Sequence, residues 1–243
     1  MAFLQETRPK HEPVFNAPLS LVLLIAVLAA AHVARVVSPT SVSNWAIDTF
    51  AFDPAVYSSS WLFAHGVATP SFFARAIPFV SYMFLHGSWL HLGVNCLWLF
   101  AFGAVVARRF GAGLFYFFFA VCGIAGALVF LALEWGQNVG AIGASGAISG
   151  IMAAAIRMLR RPGAFGDWEP VPLVPLFSRQ VLLFSAVWLA GNMVTGLTGL
   201  GAGPGIQAIA WQAHLGGYIA GLFLTGPFDR LHARVSRNRQ PAA

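Results

Sequence analysis

Gly140-Ala141-Ile142-Gly143-Ala144-Ser145-Gly146-Ala147-Ile148-Ser149-Gly150 lies between apolar stretches, and its reading decides what this chain is. A serine among glycines can be plain helix packing, because small residues let backbones approach closely in lipid. It can equally be a nucleophile, Ser145, held where water is scarce. The residues around it choose between the two.

Outward from the motif, hydrophobic residues come in membrane-length blocks. Of 243 residues, 58% are hydrophobic and 9% charged, against roughly 25% charged in a soluble domain. The chain therefore reads as an all-α polytopic membrane protein. A helix needs about 20 apolar residues to cross the hydrocarbon core, and six stretches fit, at about 19–37, 84–106, 113–133, 145–161, 179–198 and 208–228. The fourth is short and starts at Ser145, so non-helical backbone should lead into it within the membrane profile. Such backbone is tolerated only where protein or a water-filled cavity surrounds it.

Basic residues set the expected topology. Counted along six spans, 12 of the 14 fall on one side: Arg8, Lys10, Arg108, Arg109, Arg157, Arg160, Arg161, Arg179, Arg230, Arg234, Arg237 and Arg239. Arg35 and Arg75 fall on the other side, together with Asp48, Asp53 and Glu134. Both termini are then expected in the cytoplasm, with Ser145 opening outward. Net charge is +6, but arginines at the ends of apolar runs fit membrane topology rather than nucleic-acid binding. The expected organisation is a cytoplasmic tail (1–18), a membrane domain (19–228) with a structured outer loop (38–83), and a basic cytoplasmic tail (229–243). The mixed-charge N-terminus has no secretory cleavage site, so the first apolar run should remain as a spanning helix. A short leader without transit-peptide character points to a bacterial plasma membrane. Cys96 and Cys122 sit within apolar runs and match no metal-ligand spacing, which makes them packing residues.

Polar side chains inside spanning segments are costly, and each is a functional candidate. His91 and Asn95 lie four residues apart on one helical face. Ser145 heads the fourth helix and His214 lies in the sixth. A serine nucleophile needs a base and donors for the developing oxyanion. His214 can supply the base, and helix N-terminal N–H groups with His91 and Asn95 can supply donors. All eight acidic residues fall in expected tails or loops, so a Ser/His hydrolase here would be a dyad, its imidazole oriented by packing and neutral hydrogen bonds. Gly146 and Gly150, with Gly217 and Gly221 three and seven residues after His214, provide the close crossing that a Ser–His contact requires. His86 reads as an interfacial residue and Asn192 as a satisfied packing polar.

Together, His91-Leu-Gly-Val-Asn95, Gly143-Ala-Ser145-Gly146 and Ala213-His214-Leu-Gly-Gly217-Tyr-Ile-Ala-Gly221 resemble the rhomboid family of intramembrane serine proteases across about 19–228. The resemblance is to the bacterial type with six transmembrane helices. It implies a six-helix bundle without cofactor or metal that cleaves transmembrane protein substrates within the lipid bilayer through an acyl-enzyme. It further implies Ser145 as nucleophile, His214 as general base, and an oxyanion hole of His91, Asn95 and the Ser145 N–H. Residues 179–207 would be linked to substrate access. Two departures stand out. Ser149 replaces an aromatic that in some members stacks on the histidine, so the ring must be held by a hydrogen bond or another ring. Arg75-Ala-Ile-Pro78 stands where some members carry a Trp-Arg pair. The alternatives are a non-catalytic rhomboid-like protein that binds client helices, from which Ser145 or His214 would be expected to be lost, and a small transporter, which would need matching broken helices.

Overall fold

The computed structural model describes residues 17–159, 172–198 and 210–237. Over these residues the chain is all α apart from short 3-10 turns and one isolated bridge. Helix α1 (Leu19–Val37) leads into α2 (Thr40–Phe50), α3 (Ser59–Ala64), α4 (Phe72–Ala76) and α5 (Pro78–Ser81). There follow α6 (Trp89–Leu133), α7 (Ser145–Met158), α8 (Arg179–Thr198) and α9 (Trp211–Arg237).

The short elements of the first connection start where the sequence supplies caps. Asp53 accepts from the Ala55 N–H at 2.9 Å, Ser58 from the Trp61 N–H at 3.3 Å and Ser71 from the Ala74 N–H at 3.2 Å. Each satisfies a donor that a helix start leaves without an intrahelical partner. Phe52, fully buried, anchors the connection against Tyr57, Phe79 and Tyr82.

Helix α6 holds 45 residues and is non-helical only at Gly111, where φ is 71°, a left-handed conformation open to glycine. The chain folds back there. A Cβ built on Gly103 would lie 3.7 Å from the Phe115 ring tip, whereas twelve residues along a straight helix span about 18 Å. One element thereby offers two packing faces, one bearing Asn95 and the other Cys122 and Gly126. Helix α7 fits between α6 and α9 and is buried from Gly146 to Met158. Helix α8 is the opposite case, with Val181 its one buried residue, and it presents Leu182, Leu183, Val187 and Leu197 outward.

The expected six-span bundle is corrected here. Among the described residues, three helices are long and apolar enough to cross a membrane: α1, α6 and α8. They make the chain an integral membrane protein. The expected second and third spans lie on the two limbs of α6, on either side of the turn at Gly111. The expected fourth span is the 14-residue α7, about 21 Å long and short of a core about 30 Å thick. The expected sixth span is α9, long enough at 27 residues but carrying Gln212, His214, Asp229 and a run of arginines. The placement of both termini in the cytoplasm was counted along six spans and falls with that count. Residues 1–16 and 238–243, with Arg160, Arg161, Asp167 and Glu169, lie outside the described residues.

Candidate active site

Backbone contacts with the first connection fix the loop that carries Ser145. Phe52 and Ala141 exchange N–H to O bonds of 3.0 and 2.8 Å, and the Gly143 N–H donates to the Tyr82 carbonyl at 2.9 Å. Gly143 adopts φ +118°, which turns the chain into α7. Ala144 is the N-cap and offers no side-chain acceptor. The first-turn N–H groups, that of Ser145 among them, are thus left to meet an anion at the positive end of the helix.

Glycines bring His214 to the serine. A Cβ on Gly217 would run into the carbonyl oxygen of Gly146, and one on Gly221 into that of Gly150. Both pairs are offset by 71 residues, so α7 and α9 cross in parallel, in a single register. A Cβ on Gly126 would lie 2.6 Å from the Ala213 carbonyl oxygen, which closes α6 on the same turn of α9. With all three backbones in contact, the Ser145 Oγ to His214 Nε2 distance is 2.7 Å. Ser145 and His214 are each half-buried.

His214 Nδ1 lies 2.6 Å from Asn192 Oδ1, while Asn192 Nδ2 donates to the Trp188 carbonyl at 2.9 Å. Ser149 takes no part, since its hydroxyl donates back to the Ser145 carbonyl at 2.7 Å. The ring is therefore held by a hydrogen bond from α8. Asn192 is the site residue that sequence reasoning missed when it was read as packing. The available signal was an amide inside an apolar span, in a chain that lacks the stacking aromatic.

His91 and Asn95 stand on the far side of the loop. A Cβ on Gly143 would lie 2.6 Å from His91 Nε2 and 3.8 Å from Asn95 Nδ2, so both side chains abut the residue two before Ser145. Asn95 is buried and donates one amide hydrogen to the His91 carbonyl at 3.0 Å, which leaves a second hydrogen for a ligand. His86 is corrected from interfacial to fully buried, with its ring 5.1 Å from that of His91. Burial, with His91, His32 and Arg35 nearby, pushes the His86 imidazole down to about 3, so it is neutral. Arg35 Nη2 donates to the His86 carbonyl at 2.7 Å and fixes that turn.

Two acids expected in loops or tails are tied elsewhere. Asp229 lies within α9 and forms a bidentate pair with Arg109 at 2.6 and 2.9 Å, and Glu134 accepts from Gln212. Both ring nitrogens of His214 are taken, by a serine and an amide. Among the described residues, no group of three or more His, Cys, Asp or Glu side chains is placed to hold a metal ion. The arrangement can draw the Ser145 proton onto a neutral imidazole beside ready anion donors.

The family model for the Rhomboid domain matches residues 74–228. Rhomboid-like protein 11, chloroplastic, of Arabidopsis thaliana is 31% identical over 150 residues, which are 60% of this chain and 50% of that protein. The chain spans about half the length of this curated relative. The match carries the resemblance first drawn from three motifs, without its six-span count, since three helices among the described residues are long and apolar enough to cross a membrane. With the matched region enclosing His91, Asn95, Ser145 and His214, the chain belongs to the rhomboid family.

Proposed function

We propose that this protein is an intramembrane serine endopeptidase that cleaves peptide bonds in or near transmembrane segments of other membrane proteins. The observation that carries the reading is the 2.7 Å contact between Ser145 Oγ and His214 Nε2 at the uncapped start of α7. In the first step Ser145 Oγ attacks the scissile carbonyl carbon while its proton passes to His214 Nε2. The oxyanion is met by the Ser145 N–H with His91 and Asn95. His214 then gives its proton to the leaving amine as the C–N bond breaks, leaving an acyl-enzyme. Water, deprotonated by the same imidazole, releases the second product. Removing an oxyanion donor of this kind costs about 10²–10³ in rate.

Family membership supports a membrane-protein substrate. An intact helix keeps its carbonyls hydrogen-bonded, so we propose that clients carry helix-breaking residues near the cleavage point. The protein is placed by this proposal in a bacterial plasma membrane, with the site opening to the outer side. The orientation is supported by Arg157, Arg234 and Arg237, which sit in the last turns of α7 and α9, at the ends away from Ser145, as the positive-inside rule requires. The chloroplast in the plant relative's name is a property of that protein alone.

The test is to incubate the purified protein in detergent with a transmembrane substrate and with a fluorophosphonate probe. Wild type should cut and label, Ser145→Ala should do neither, and His214→Ala should lose turnover. Turnover that survives Ser145→Ala would sink the proposal.

A further inference from the structure

We propose that Asn192 is a positioning residue that sets the tautomer of His214, so that the proton-transfer unit is Ser145–His214–Asn192 and spans three helices. The inference rests on the protease reading and adds what that reading lacks, a reason for Nε2 to be the basic nitrogen.

The amide can be oriented in one way only. Asn192 Nδ2 donates to the Trp188 carbonyl one turn back, at 2.9 Å. Flipping the amide would keep a contact to the imidazole through its NH₂ but set its oxygen against that carbonyl, losing the Trp188 bond and leaving two acceptors face to face. Oδ1, an acceptor, therefore faces His214 Nδ1 at 2.6 Å, and Nδ1 must carry the ring proton. Nε2 is left with its lone pair toward the Ser145 hydroxyl at 2.7 Å. When Nε2 takes the serine proton, Nδ1–H still has its acceptor, and the imidazolium forms without turning. The groups that face the ring are Ser145 from α7, His91 from α6 and Asn192 from α8. None is a carboxylate, so the neutral amide alone holds Nδ1.

The location gives Asn192 a second consequence. It belongs to α8, the least buried of the long helices, which meets α9 through a short row of contacts. Trp188 stacks on Tyr218 with ring centroids 4.2 Å apart, Ser185 bonds the Tyr218 hydroxyl at 2.8 Å, and Asn192 reaches His214. The first two contacts seat the helix, and the third touches the chemistry. When α8 lifts off α9, the acceptor at Nδ1 leaves with it, and the imidazole is free to populate the other tautomer.

The test compares Asn192→Leu, Asn192→Asp and Trp188→Ala in the full-length protein. Asn192→Leu keeps the volume and removes the acceptor. It should lower kcat about 10–10²-fold with KM within twofold, a smaller loss than the roughly 10⁴ seen when a triad carboxylate is neutralised. Asn192→Asp restores an acceptor and adds charge. It should recover kcat at high pH while moving the acidic limb of the pH–rate profile up by about one unit or more. Trp188→Ala loosens α8 but keeps the amide, and should lower kcat less than Asn192→Leu does, with a smaller share of His214 in the other tautomer. Histidine ¹⁵N spectra in detergent, with His214 assigned by its loss in His214→Ala, should show Nδ1–H in wild type and a tautomer mixture in Asn192→Leu. This readout needs no turnover, so it separates failure of the inference from failure of the protease reading. Wild-type kcat in Asn192→Leu, an unmoved limb in Asn192→Asp, or an unchanged His214 spectrum in Asn192→Leu would each overturn the role.

Discussion

Gly217→Ala is the substitution by which the structure most directly links helix packing to chemistry. The new Cβ would lie 2.7 Å from the Gly146 carbonyl carbon, where ordinary contact begins at 3.4 Å, and closer still to its oxygen. Its neighbours are backbone atoms, so no side-chain rotation can relieve the clash. Helix α9 must withdraw from α7 by at least about 0.7 Å to relieve the carbon, and by more than about 1 Å to clear the oxygen, on the contact distances of close-packed interiors. The Ser145–His214 contact, 2.7 Å at rest, then stretches to about 3.7 Å or more, beyond the range of a hydrogen bond. Misplacement on this scale costs about 10²-fold in rate, and overpacking costs about 1–3 kcal/mol in stability. The assay is kcat on a transmembrane substrate in detergent, with fluorophosphonate labelling and a thermal melt on the same sample. Gly226→Ala on the same helix is the control, since a Cβ there has nothing within 4 Å. If Gly217→Ala stays within threefold of wild type, α7 and α9 do not cross in the register described, and the account of how His214 reaches Ser145 is wrong.

Three further outcomes follow from named contacts. Asn95→Ala should cut kcat by about 10²–10³ with little change in KM, as expected of a donor that acts on the oxyanion; an equal loss in substrate binding would mean that it serves packing instead. Gly143→Ala places a side chain at φ +118° and 2.6 Å from His91 Nε2, so it should slow probe labelling at least about tenfold through strain of about 1–3 kcal/mol and a displaced donor; unchanged labelling would free the oxyanion site from the 140–144 loop. Arg109→Ala breaks a pair whose side chains are 17% and 27% exposed, and should lower thermal stability by about 1 kcal/mol or less while leaving kcat unchanged.

The chemistry was more legible in the sequence than the membrane crossing, and the reason is physical. A serine, a histidine and glycines at three- and four-residue spacing state their relation along the chain, and Gly146 and Gly150 do meet Gly217 and Gly221. Hydropathy, by contrast, records that a residue avoids water without saying whether protein or lipid shields it. Helix α7 is apolar because α6 and α9 surround it, so it could be only 14 residues long. Helix α9 could keep Gln212, His214 and Asp229 because Glu134, Ser145, Asn192 and Arg109 satisfy them. Each polar residue lowered the helix's apparent fitness for lipid while strengthening its hold on a neighbour.

Asn192 shows where local pattern stops. The few polar residues of α8 fall on no single face, so no stripe in its sequence marks the side toward α9, and an amide there reads as a polar group satisfied by its own helix. Its partner lies 22 residues on, in another helix. The register that joins them is set by Trp188 and Ser185 against Tyr218, one and two turns before Asn192, and by the glycine crossing that seats α9 on α7. Ser149 supplies the complementary clue, because a serine bonded to its own helix cannot steady a ring. A chain without an aromatic one turn after its candidate nucleophile has to hold the imidazole from elsewhere. Here the holding atom sits on α8, the long helix with the fewest buried residues, so the hold on His214 depends on how α8 seats on α9.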